Sequence, residues 1–139
     1  MPQALKIAIT ADKIDDVTNA VLMKDLVKVN EVSPRVYGDD GKEMKIDMAG
    51  GEKSIPLSDF PLVNFVHIEA FWAETDSGLG ISAGTPAPFE YQINAGAWIQ
   101  LKKGKLLMLG ENNITALKVR NQNADGKFIR IRYVIGSSE

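Results

Sequence analysis

Apolar and polar residues alternate with a period of two over most of the chain, in short runs separated by clusters of glycine, proline, asparagine and aspartate. Alternation of this kind marks half-buried strands, and the clusters mark the turns between them. Leu5–Ile9 reads as a first short strand closed by Thr10-Ala11-Asp12. The next stretch, Lys13–Val29, carries two patterns. Ile14, Val17, Val21 and Leu22 recur at helical spacing, with Asp12 as an N-cap and Asp15 and Asp16 in the first turn, where the helix dipole favours acids. Its second half alternates like a strand and is rich in β-branched valine. The spacing therefore predicts a single N-terminal helix over the first half only.

Beyond Ser33-Pro34 the alternation takes over. Asp39-Asp40-Gly41 predicts a hairpin turn between Arg35–Tyr37 and Glu43–Met48, and Ala49-Gly50-Gly51 ends the second of these strands. Pro61 ends the segment Ile55–Phe60, after which Val63–Ala73 is the longest strand-like run. Within it Phe65, His67, Glu69 and Phe71 share one face, and Val66, Ile68, Ala70 and Trp72 share the other, which is the better core face. Residues 75–88 hold three glycines and two prolines and read as a long surface connection. Phe89–Ile93 and Trp98–Leu101 flank the tight turn Asn94-Ala95-Gly96 as a hairpin, and Leu106–Leu109 follows as a short apolar strand. The sequence closes with Ile114–Arg120, a turn over Asn121–Gly126, and Lys127–Ile135, in which Ile129, Ile131, Tyr133 and Ile135 face one way. Eight or nine antiparallel strands at regular turn spacing describe an all-β protein, a β-sandwich or jelly roll. The expected organisation is one domain over residues 1–139, with 1–34 holding the first strand and the helix and 35–139 the sandwich.

Composition narrows the chemistry more than the fold. There is no cysteine, which excludes a disulfide framework and thiolate metal sites. Neither a signal-like start nor an apolar run of membrane-spanning length is present, so no membrane partner is expected. His67 is the one histidine, so a triad or an imidazole metal site has no second ring to draw on. His67 and Glu69 share a strand face, a spacing that suits an acid/base pair and equally a solvated surface. Gly78-Leu79-Gly80 lacks the helix and Lys-Ser/Thr of a phosphate loop, and Asp76-Ser77 reads as turn chemistry. Asp39, Asp40, Glu43 and Asp47 gather carboxylates without the spacing of a calcium loop. No cofactor and no enzymatic activity are expected.

Charge is uneven. Residues 1–76 hold 14 acidic and 8 basic side chains, and residues 77–139 hold 4 and 8, against an overall net charge of -2. Lys118, Arg120, Lys127, Arg130 and Arg132 form one basic patch if their strands pair across the Asn121–Gly126 turn, and such a patch suits an acidic partner surface or the acidic half of another copy. Carboxylates of the same chain are the competing cover. Nucleic acid is not expected, because Phe128 is the only aromatic interleaved with these residues. Trp72, Trp98 and Tyr91 are the candidates for stacking on a sugar, although tryptophan in a strand is more often core.

The segments Phe60–Ala70, Pro88–Trp98, Ile114–Asn121 and Phe128–Tyr133 together resemble small β-sandwich virion proteins of tailed bacteriophages, in particular capsid decoration or cement proteins. The resemblance covers about the C-terminal 80 residues. It implies a non-enzymatic protein, made in the host cytoplasm, that sits on the capsid surface as a homo-oligomer, dimer or trimer, against the major capsid protein. A carbohydrate-binding or receptor-binding module of a tail or fibre is the alternative.

Overall fold

The computed structural model describes residues 4–33, 35–46, 51–57, 62–110, 113–123 and 126–137, with 31–33 and 35–46 described by backbone alone. The described residues form ten strands: β1 (Leu5–Ile14), β2 (Val21–Ser33), β3 (Arg35–Ile46), β4 (Gly51–Ile55), β5 (Val63–Trp72), β6 (Phe89–Ile93), β7 (Ile99–Leu101), β8 (Lys105–Leu109), β9 (Leu117–Asn121) and β10 (Ile129–Ser137). Every pairing is antiparallel. β1 and β2 form a two-stranded hairpin, while the other eight build a front sheet in the order β3-β10-β5-β8 and a back sheet in the order β4-β9-β6-β7. Of the connections among these eight, only β6 to β7 stays within one sheet. The expected all-β sandwich is thus present, with the double-layer strand order of a jelly roll.

The core lies between the sheets, and alternation explains who enters it. Val66, Ile68, Ala70 and Trp72 of β5 and Ile129, Ile131, Tyr133 and Ile135 of β10 point inward from the front sheet. Phe89, Leu117 and Val119 meet them from the back sheet. Enclosing each large side chain of this set contributes roughly 1.5–3 kcal/mol before the entropy of ordering is charged. Asn94 closes β6 in the left-handed region at φ 54°, which asparagine tolerates. Its Oδ1 accepts from the Thr115 and Ala116 amides at 2.8 and 3.1 Å, and its Nδ2 donates to the Asn113 carbonyl at 3.0 Å. The turn after β6 is thereby tied to the segment entering β9.

Three expectations are corrected. The helix over the first half of Lys13–Val29 does not form: Ile14 ends β1, Val21 begins β2, and only 15–20 turns between them. Asp15 makes that turn instead of opening a helix, its Oδ1 accepting the Val17 and Thr18 amides, each at 2.9 Å. Asp12 accepts the amide of Asp25 across the hairpin at 2.7 Å, and Asp25 stands at φ 53° where the register slips. Both acids therefore serve β-hairpin geometry, and the valines favour it. Second, Arg35–Tyr37 and the stretch from Glu43 do not pair with each other. Both lie on one strand, β3, along β10, and Asp39-Asp40-Gly41 falls at a register irregularity between Tyr37 and Lys42. Third, β9 and β10 do not pair across Asn121–Gly126; β9 belongs to the back sheet and β10 to the front.

The 75–88 connection is ordered by its own turns. Asp76 accepts the Gly78 amide at 3.0 Å at the start of a single 3-10 turn, Ser77–Leu79, and its carboxylate meets Lys127 Nζ at 3.0 Å. The hydrogen bond from Lys127 holds the Asp76 carboxyl below the ordinary aspartate value. A depressed folded value means that this contribution is present above the unfolded value of about 3.9 and is lost as pH falls through the folded one. Asp76→Asn is accordingly expected to flatten the fall of stability below about pH 4, read from urea midpoints across the acid range.

Candidate interaction surface

The hairpin of β1 and β2 is an arm whose two halves have different surroundings. Period-two alternation puts Leu5, Ile7 and Ile9 on one face, and that face lies over the outer side of the front sheet, in a groove shared with Phe65, His67 and Leu107. Phe65 belongs to the solvent side of β5, yet it is only 9% exposed, and Ile7 only 5%. The base of the arm is thus docked on the sandwich by an apolar contact. The distal half has no such cover. Ile14, Val17, Val21, Leu22, Met23, Leu26 and Val27 are all exposed, from 47% at Val27 to 84% at Val17. Scattered surface apolar residues are ordinary, but seven on one slender element are not, and contiguous apolar surface marks a place where something binds.

The arm was hidden in the sequence behind its helical spacing. The signal that finds it is the excess of valine and the pair of aspartates able to bond main-chain amides of a turn. Apolar residues that suit a helix face also suit a hairpin when both of its faces are to be covered.

The five basic residues are not brought together. Lys118 and Arg120 lie on the outer side of the back sheet, whereas Arg130 and Arg132 lie on the outer side of the front sheet, so the two pairs face opposite directions. Carboxylates of the same chain meet three of the five. Lys118 reaches Glu52 at 3.8 Å, Arg120 Nε reaches Glu90 at 3.1 Å, and Lys127 reaches Asp76. Arg132 stands beside Glu69 in the ladder, its guanidinium 5.5 Å from the ring centroid of Phe71. The single basic patch therefore does not exist, because the strands expected to align it belong to different layers.

The aromatic candidates are likewise separated. Trp72 is in the core at 9% exposure, and Tyr91 is half-buried against that core from the back sheet. Trp98 lies on the outer side of the back sheet, half-buried, with the Arg120 guanidinium 4.0 Å from its ring centroid. Arg120 is thus held by Glu90 on one side and a tryptophan face on the other. Core placement holds for Trp72 but not for Trp98, whose outward face is already occupied.

His67 Nε2 lies 3.4 Å from Glu69 Oε1 on the outer side of β5, each side chain about one-third exposed, in the groove beneath the arm. Among the described residues no group of three or more His, Asp or Glu side chains is placed to hold a metal ion. The side chains of Asp39, Asp40 and Glu43, and Asp47 altogether, lie outside the described set. No family model, no curated protein and no solved structure matches the chain.

Proposed function

We propose that this chain is a non-enzymatic structural protein of a phage virion, a capsid decoration or cement protein that stabilises the head shell. The observation that carries this reading is the arm: a jelly-roll body extends a hairpin whose distal apolar side chains have no cover of their own. A protein that clamps neighbouring subunits needs a rigid body and a protruding element that gains its burial from assembly. The sequence resemblance to virion β-sandwich proteins points the same way. A carbohydrate-binding module would present aromatic rings together on one open face, and Trp72, Tyr91 and Trp98 stand in three different settings.

The test is cosedimentation of the purified chain with head shells of the phage that encodes it, prepared without the protein. Saturable binding at a fixed ratio to the major capsid protein, with shells that withstand higher temperature, is expected. Binding to tails alone, or to neither particle, would remove the head-shell role.

A further inference from the structure

We infer that the arm is a self-association element: it packs against the arm of a second copy, face to face and antiparallel, across a two-fold axis. This inference stands independently of the virion reading. An isolated two-stranded hairpin is marginal in water, and among the described residues the distal half of this one is supported only by its own turn and ladder, so its apolar side chains gain when the base of a second arm covers them.

Charge identifies the occupant. The distal part, residues 12–25, carries Asp12, Asp15, Asp16 and Asp25 against Lys13 and Lys24, a surplus of two negative charges. The basal part carries Lys6 and Lys28, with Glu31 the single acid among its residues. The ladder, Lys6 opposite Val32 and Thr10 opposite Lys28, puts both lysines on the same face as the small residues Ala8 and Thr10, and all four are exposed while Ile7 on the other face is buried. Among the described residues none of the four arm lysines forms an ion pair within its own chain. A second arm laid antiparallel on that face brings its acidic tip over Lys6 and Lys28 while its own base receives the first tip. The surface is self-complementary, as a two-fold contact requires, and a partner of a single charge sign would meet repulsion at one end.

Charge exchange tests this without touching the large apolar residues or the core. The wild-type chain is expected to sediment at about twice 15.2 kDa. A chain with Lys6→Glu and Lys28→Glu, and separately a chain with Asp16→Lys and Ala20→Lys, whose tip then carries a surplus of one positive charge, should each dissociate at least about tenfold more readily, since each now sets like charges at both ends of its homodimer. Mixed together, the two should form a heterodimer, because both ends are then opposite in sign. All substituted positions are exposed, and tryptophan fluorescence with far-UV circular dichroism reports that the sandwich persists. A wild-type monomer at every concentration overturns the inference while leaving shell cosedimentation to decide the virion reading. A dimer indifferent to these charges, or a mixture that stays monomeric, overturns it as well.

Discussion

Gly104→Ala should remove about 3 kcal/mol or more of stability, a large share of the 5–15 kcal/mol typical of a domain. Gly104 is buried between β7 and β8 at φ +71°, a conformation that costs an L-residue about 1–2 kcal/mol. A Cβ at this position would stand 2.7 Å from the carbonyl oxygens of both Ala70 and Ala87 and 3.1 Å from the Ala87 amide nitrogen. These atoms cannot step aside, since the Ala70 amide donates to the Gly104 carbonyl at 2.7 Å and the Ala87 amide donates to the Ala70 carbonyl at 3.0 Å. Steric strain of this kind adds about 1–3 kcal/mol to the dihedral cost. Gly80→Ala is the control: φ is +68° there, but nothing lies within 4 Å of the added methyl. Urea unfolding should separate the two variants by about 2 kcal/mol. Equal losses would mean that the backbone approach at Gly104 is looser than the geometry states.

Asn121→Leu is the second large loss, expected at about 2–4 kcal/mol although it keeps the number of side-chain heavy atoms and adds apolar surface. Asn121 is fully buried at the end of β9, where the chain leaves the back sheet for the front. Its Nδ2 donates to the Lys127 carbonyl at 2.9 Å, and its Oδ1 accepts from the Asn123 amide at 3.0 Å and from Asn123 Nδ2 at 2.9 Å. Asn123 Nδ2 also donates to the Pro88 carbonyl at 3.0 Å, joining the crossover to the start of β6. Leucine leaves the Lys127 carbonyl and the Asn123 amide without these partners in a partly buried place, and the penalty of unmet hydrogen bonds exceeds the gain in burial. Thermal unfolding followed by fluorescence reads the loss, and a variant as stable as wild type would show that water takes over both groups.

How far the sequence was legible depended on the range of the interaction. The faces of β5 and β10 followed from alternation, because one side chain in two must enter the core whatever the neighbouring strand is. Asn94-Ala95-Gly96 was legible because a tight turn is decided by a few adjacent residues. The pairing of β9 with β10 was misread for the opposite reason. A six-residue turn signal does not say whether the next strand returns beside the last or crosses to the other layer, and in this topology nearly every connection crosses. The basic patch failed with it. At the arm, helical and hairpin patterns both accommodated Ile14, Val17, Val21 and Leu22, and the decision lay in hydrogen bonds from Asp12 and Asp15 to amides up to 13 positions away. Trp98 was misplaced because its neighbour Arg120 comes from another strand of the same sheet.

The place of β10 has a consequence for how the chain acquires its shape. Ile129–Ser137 is laid between β3 and β5, supplying the ladder for both. During synthesis, the partners on either side are therefore complete long before the strand that joins them emerges, and the front sheet cannot close until it does. Contacts at such separations make folding slow, in the millisecond to second range of β-sandwiches. Meanwhile the two waiting strands offer open edges to other chains, so yield at high expression should depend on temperature more than the stability of the finished fold would suggest.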